Sequence, residues 1–153
     1  MNHSKRIALT LSILLCLAFH FADARADDKS VAQVSELTGS AFIERGFTTL
    51  AVATGTRLQS EDTIKTGEDG SLGIIFDDET TISLGPNSSL KIQSYVFNPD
   101  ASEFSFVVRL FKGTAAYVSG LIAKLSPGST EFITPSASIG IRGTRFVIQV
   151  DEI

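Results

Sequence analysis

The chain has 153 residues, of which 13 are basic and 17 acidic, and its formal net charge at pH 7 is −4. This length fits a single domain, and the hydrophobic fraction of 43% and charged fraction of 20% exclude a disordered chain. The acidic balance argues against a nucleic-acid-binding protein, because such proteins concentrate basic residues on one surface.

The N-terminal segment, residues 1–26, has the features of a secretory signal peptide in their usual order. Two basic residues at positions 5 and 6 precede an apolar run over residues 7–21, and an A-R-A pattern ends at Ala26. This order predicts export and cleavage after Ala26, with cleavage after Ala24 as the alternative. The apolar run is shorter than the roughly 18 residues of a membrane span, which argues against a retained anchor.

Cleavage would change the chemistry available to the remaining chain, residues 27–153. The chain would lose three basic residues and one acidic residue, which moves the formal net charge from −4 to −6. His3, His20 and Cys16 all lie in the removed segment. The cysteine follows a leucine rather than a small residue, so we expect no lipidation.

The loss of every His and Cys excludes the catalytic and metal-binding sites that depend on imidazole or thiol groups. It removes the groups required for a Ser-His-Asp triad, a Cys-His nucleophile, thiolate–imidazole zinc sites, iron–sulfur centres and disulfides. Catalysis by carboxylates alone would need acids in buried surroundings, whereas the acids of this chain cluster at turns. We therefore expect no enzymatic activity, no metal and no cofactor.

Residues 27–51 are predicted to form an N-terminal β extension to a domain that spans residues 52–153. Across both segments, turns marked by glycine or proline recur mostly every 7–16 residues, as is typical of all-β proteins. Alternation of apolar and polar residues predicts half-buried strands. The residues predicted to form the inner face are Leu72, Ile74, Phe76, Ile82, Leu84, Leu90 and Ile92. On the later strands, Phe104, Phe106, Val108 and Leu110 share one face, and Phe146, Ile148 and Val150 share a face that needs to be covered.

The expected fold is a single compact antiparallel β-sandwich or roll, with a short β-solenoid-like stack as the alternative. The four residues 77–80 are predicted to form a hairpin loop between two strands. The segment Ala115–Leu125 has apolar residues at roughly helical spacing, and we interpret it as a strand that ends in a short helical turn.

Three sequence blocks then follow one another in the order of a known family. The first covers residues 55–90 and includes D-T-I-K-T-G from position 62; the second is L-F-K-G-T-A at residues 110–115. The third and most specific, I-T-P-S-A-S-I-G-I-R-G-T-R-F-V, covers residues 133–147. Residues 52–150 therefore resemble the FecR domain of periplasmic signalling proteins.

The resemblance implies a periplasmic or secreted domain that takes part in signalling. The best-known regulators of the family are inner-membrane proteins with a cytoplasmic segment that acts on a sigma factor. In this chain we expect a cleaved signal peptide and no further membrane span. Control of a sigma factor across the membrane therefore does not carry over directly. Family members usually continue beyond the strand at residues 146–150, so a stand-alone exported FecR domain is expected.

Two sets of charged residues are candidate ligand sites. The acidic turns at residues 68–69 and 77–79 offer oxygen ligands for Ca²⁺, but they lack the spacing of an EF-hand. We expect them to be solvated loop tips without a metal. Arg142 and Arg145 could bind a carboxylate, a phosphate or an anionic sugar, or they could be ordinary surface and salt-bridged arginines.

The last predicted strand, residues 146–150, lies close to the end of the chain. An unpaired strand edge can accept a strand from a partner or from a second copy of the chain. The alternative is that an N-terminal strand around residues 31–37 covers this edge. The candidate contact residues are Arg142, Arg145, Phe146, Ile148 and Val150.

Taken together, these features predict an exported, non-catalytic interaction module that binds another envelope protein, in signalling or in assembly. The alternative is a binding module for envelope glycans or other small anionic ligands, in which the two arginines would matter most. A homo-oligomer formed through the strand edge is also compatible with the sequence.

The first testable prediction concerns export. Protein recovered from a Gram-negative periplasm should have the intact mass of residues 27–153, because the signal peptidase recognises the A-R-A pattern. A recovered mass that still includes Met1 would contradict the prediction.

Overall fold

The computed structural model describes residues 30–143 and 145–151, and the predicted signal peptide lies outside them. The described residues form twelve strands and one short helix, α1 (Leu121–Leu125). The strands are β1 (Ser30–Thr38), β2 (Ala41–Arg45), β3 (Thr48–Ala51), β4 (Arg57–Gln59), β5 (Thr63–Thr66), β6 (Ser71–Phe76), β7 (Thr81–Leu84), β8 (Ser89–Asn98), β9 (Glu103–Val118), β10 (Thr130–Ile133), β11 (Ser138–Gly140) and β12 (Arg145–Val150).

The long strand β9 organises the sheet. Strands β7 and β8 lie one after the other beside it, because Leu84 pairs with Ala115 and Ser89 pairs with Lys112. The sheet continues from β7 through β6 and β1 to β4, and from β8 through β5 and β2 to β3. We call these two sets of strands the β7 arm and the β8 arm. Strands β10 and β12 also pair with β9, and β11 pairs with β10.

The all-β prediction is confirmed. The strands form a curled, mainly antiparallel sheet, and among the described pairings only β10 runs parallel to its neighbour β9. The segment predicted as a strand with a terminal helical turn is the second half of β9 followed by α1. The residues from 77 to 80 connect β6 to β7, as predicted, and these two strands pair antiparallel.

Gly113 lies in the second half of β9, where the inward-facing positions of this strand change. Before it, Phe106, Val108 and Leu110 point into the core; after it, the buried residues are Ala115 and Tyr117. The inward positions thus shift by one residue, which is the effect of a bulge. Gly113 has φ +89°, and an added Cβ would overlap the Cα, Cβ and Oγ atoms of Ser88. Only glycine satisfies both constraints.

The core fills the space inside the curl. The inward-facing residues predicted for β6, β7 and the start of β8 are all buried. A series of aromatic contacts links the arms to β12: the ring centroids of Phe76 and Phe106 are 4.8 Å apart, those of Phe106 and Tyr117 are 6.0 Å apart, and those of Tyr117 and Phe146 are 5.1 Å apart. Phe146 therefore faces the core, as its alternation predicts.

Asp78 corrects the expectation that the acidic turns are solvated loop tips. Its flanking residues in the turn are exposed, but Asp78 itself is fully buried. Its carboxylate accepts hydrogen bonds from Thr80 Oγ1 (2.7 Å), Ile122 N (3.1 Å) and Tyr95 Oη (3.3 Å). These donors stabilise the buried charge, and they join the β6–β7 turn to the start of α1.

Asp62, in the segment that connects β4 to β5, is a second buried carboxylate. Arg45 holds it in a bidentate ion pair, with Nε and Nη2 each 2.8 Å from a carboxylate oxygen. The main-chain N–H of Gln59 donates a further hydrogen bond, also of 2.8 Å. Both carboxylates occupy structural networks, and no group of three or more potential metal-ligating side chains occurs among the described residues.

The close approach at Gly113 can be tested with a matched glycine. Gly55 has φ +87°, almost the same as Gly113, but an added Cβ there would have no atom within 4 Å. Gly55→Ala should cost about 1–2 kcal/mol of unfolding free energy from backbone strain alone. Gly113→Ala should cost at least about 3 kcal/mol, or abolish folding, because overlap with Ser88 adds to that strain. Equal losses in urea unfolding followed by circular dichroism would contradict this account.

The two tyrosines of the chain provide a prediction for alkaline pH. Burial raises the pKa of Tyr117 to about 12, and burial together with the Asp78 carboxylate raises the pKa of Tyr95. Above about pH 10 the unfolded chain loses phenolic protons that the folded chain keeps. Stability should therefore fall as the pH rises from about 10, by up to ~1.4 kcal/mol per pH unit for each tyrosine.

The corresponding measurement is near-ultraviolet absorbance, which has no tryptophan contribution in this chain. The folded protein should show little tyrosinate at about pH 10.5, whereas the chain in urea should titrate near pH 10. Normal titration of both tyrosines in protein with an intact circular dichroism spectrum would be the contrary result.

Candidate functional site

The sequence placed the candidate contact residues around the last strand, which the structure identifies as β12. Its residues alternate between exposed and half-buried positions. Phe146, Ile148 and Val150 pack against the core, whereas Arg145, Val147 and Gln149 are exposed. Val147 is 68% exposed. The outward residues of this strand therefore alternate with the three apolar residues selected from the sequence.

The pairing of β12 with β9 determines which main-chain groups face outward. The main-chain N–H and C=O groups of Thr114 point toward the β7–β8 turn. Its carbonyl oxygen accepts a hydrogen bond from Gly85 N (2.9 Å), and its N–H donates one to Ser88 Oγ (3.0 Å). In antiparallel strands, successive residues direct their N–H and C=O groups to opposite edges. The next residue of β9, Ala115, therefore directs its groups toward β12, where Ile148 is its partner.

The same alternation applies along β12. Because Ile148 exchanges hydrogen bonds with β9, Val147 and Gln149 direct their N–H and C=O groups away from β9. Within the described chain, β9 is the strand partner of β12, and no other strand pairs with it. The outer edge of β12 is therefore an open strand edge beside an exposed valine.

The N-terminal strand does not cover this edge. Strand β1 pairs with β6 through Val34 and Ile74, and with β4 through Ala32 and Leu58. In the β7 arm, β1 therefore lies between β6 and β4, and β6 and β7 separate it from β9. The alternative in which residues 31–37 protect the last strand is wrong, because their hydrogen bonds go to β6 and β4.

The two candidate arginines lie on either side of a turn. Arg142 is exposed in the connection between β11 and β12, and Arg145 is exposed at the first position of β12. Gly143 between them has φ +59°, a left-handed backbone conformation that favours glycine. Ile141 anchors the connection, since it is buried and its N–H donates to the carbonyl oxygen of Thr130 (3.0 Å).

The fold and the edge define the protein as an all-β domain with a strand available for pairing. The family comparison is more specific: the model described as "FecR protein" matches residues 62–153. The chain therefore belongs to the FecR family, and the resemblance found in the sequence is confirmed. No curated protein and no solved structure matches the chain significantly.

Membership of the family indicates a domain related to periplasmic signalling. Among residues 30–143 and 145–151, no helix has the length and apolar character needed to cross a membrane. The family match begins at Asp62, within the segment that connects β4 to β5, so strands β1–β4 precede the matched region. Those strands are nevertheless part of the same sheet.

Proposed function

We propose that this FecR-family chain is an exported, non-catalytic interaction module that binds another envelope protein through the outer edge of β12. The observation that carries the proposal is the outward direction of the N–H and C=O groups of Val147 and Gln149. An extended segment of the partner would pair with them and extend the sheet by one strand.

Export and the lack of catalysis are supported by different observations. The signal-peptide features of residues 1–26 and the periplasmic association of the family support export. The absence of His and Cys from residues 27–153 supports a binding role rather than an enzymatic one. Signalling and assembly are both compatible with an added strand, since each requires a specific protein contact.

The energetics indicate what the partner must contribute. Val147 and Gln149 together offer about four main-chain hydrogen bonds, each with a net value of about 1 kcal/mol. Association itself costs roughly 4–15 kcal/mol, so main-chain pairing alone gives weak binding. The partner must therefore also cover side chains, and Val147 is the exposed apolar residue at the centre of the edge.

A proline at position 147 tests the edge directly. Val147→Pro removes an outward N–H and leaves the hydrogen bonds from Phe146 and Ile148 to β9 in place. Val147→Thr keeps the N–H and the branched shape, and it serves as the matched control. A photocrosslinker at position 147 in cells should capture the partner, and the same crosslinker at Thr49 on the distant edge strand β3 should not.

Binding of the purified partner then decides the proposal. The proline variant should bind at least about tenfold more weakly than the threonine variant, and both should retain the circular dichroism spectrum of the original protein. Equal binding by the two variants would refute the edge as the contact. If the captured chain is a second copy, sedimentation velocity should show self-association that the proline variant lacks, which would place a homo-oligomer at this edge instead of a heterologous complex.

A further inference from the structure

A groove of about 500 Å³ lies on the outer face of the β8 arm, and Asp151, which follows β12, lies at its margin. This volume is in the range of small-molecule binding sites. The groove combines two partly exposed aromatic rings, two lysines and several hydroxyl and amide side chains. Its lining residues are Phe42, Lys65, Thr66, Asn87, Ser88, Ser89, Phe111, Lys112, Pro135 and Asp151.

Strand register explains why these residues meet. Phe42 on β2 pairs with Lys65 on β5, Lys65 pairs with Ser89 on β8, and Ser89 pairs with Lys112 on β9. Directly paired residues lie on the same face of a sheet, so four adjacent strands contribute one row of side chains. Neighbouring strands are about 4.8 Å apart, which places the two lysine backbones roughly 10 Å apart with Ser89 between them.

A bulge adds a second aromatic residue to the groove. The pairing of β8 with β9 passes from Ser89–Lys112 to Leu90–Leu110, so Phe111 has no directly opposite residue. Such an irregularity allows two successive residues to reach the same surface. Phe111 is 43% exposed and Phe42 is 37% exposed, and they flank the lysine row at its two ends.

The groove belongs to a face where cations are concentrated, although the whole chain is acidic. The adjacent row contains Lys91 on β8 paired with Arg109 on β9. Two acids balance part of this charge: Glu44 lies 2.6 Å from Lys65 Nζ, and Glu61 lies 2.6 Å from Lys91 Nζ. Counting Asp151 at the margin of the groove as well, the described side chains of the face comprise four cations and three acids, an excess of one positive charge that favours an anionic ligand.

We infer that the groove binds a carboxylated saccharide of one or two rings. The carboxylate of the ligand lies over Ser89, where Lys65 and Lys112 approach it from both sides. The apolar faces of the sugar rings pack on Phe42 and Phe111, and the hydroxyl groups meet the polar side chains between them. This inference places the anionic ligand on a different surface from Arg142 and Arg145.

Two other occupants fit the geometry less well. A peptide strand has no open edge to pair with here, because β5 and β8 are paired on both sides within the sheet. An acyl chain requires a continuous apolar channel, whereas charged and hydroxyl side chains occupy the middle of this row. A saccharide can contact both the aromatic rings and the polar side chains of the groove, because sugar rings are apolar on their faces and polar at their edges.

The charge requirement is tested by calorimetry with defined saccharides. The probes are N-acetylglucosaminyl-N-acetylmuramic acid and digalacturonic acid, and N,N′-diacetylchitobiose is the neutral control. At least one of the acidic disaccharides should bind, and it should bind about tenfold more tightly than the neutral one, with an affinity that falls as salt rises. Lys112→Gln should weaken this binding about tenfold, whereas Lys124→Gln on α1 removes the same charge elsewhere and should have no effect.

A matched pair of phenylalanine variants tests whether binding requires the aromatic rings of the groove. Phe111→Ala should weaken binding of the acidic disaccharide about tenfold, whereas Phe47→Ala should leave it unchanged. Phe47 is fully exposed at the β2–β3 turn and does not line the groove. Circular dichroism should show that both variants are folded.

Several outcomes would overturn the inference. They are the absence of binding by both acidic disaccharides, equal binding of acidic and neutral disaccharides, equal effects of the groove and control variants, or binding of pentaglutamate in preference to a saccharide. The edge variant Val147→Pro should bind the saccharide normally, so failure at this site and failure of the proposed β12 contact can be distinguished.

Discussion

The contact between Gly113 and Ser88 determines the form of the sheet. It is the point where β9 passes from the β8 arm to the β7 arm, and the hydroxyl of Ser88 accepts a hydrogen bond from the N–H of Thr114 there. The neighbouring main chain is held as well, because Thr66 Oγ1 accepts a hydrogen bond from Ser88 N (2.9 Å) and donates one to the carbonyl oxygen of Gly85 (2.7 Å). A side chain at Gly113 would separate strands that this network holds together, and the two arms would no longer enclose one core.

The same point also divides the outer surface into two regions. Phe111 and Lys112, immediately before Gly113, line the groove, whereas the residues from Gly113 onward pair with β12. A single strand therefore supports both an aromatic, cationic face and an open edge. The two proposed contacts use different chemistry, one suited to small anionic ligands and one to extended chains, so the proposals allow both surfaces to be occupied at once.

Local sequence patterns were sufficient for the strands and insufficient for the sites. Alternation identified the buried faces of β6, β7 and β8, because the period of two is a property of each strand alone. Asp78 was misjudged because hydrogen-bond donors to it lie elsewhere in the sequence, at Ile122 for example. The burial of Asp62 was not anticipated for the same reason, since its ion-pair partner is Arg45. The groove could not be predicted from the sequence for the same reason. Its row of side chains forms only when four strands pair in the correct register, and the pattern within one strand does not specify that register.

The position of β9 in the chain has a consequence for how the protein folds. This strand begins at residue 103, so about two-thirds of the chain is synthesised before the element that both arms share is present. Until then each arm exposes an apolar face and an unpaired edge, and long-range pairing of this kind is slow. Apolar surface on an incomplete chain is where chaperones bind. Late completion of the fold is also compatible with the proposed export, because an exported chain crosses the membrane before it folds.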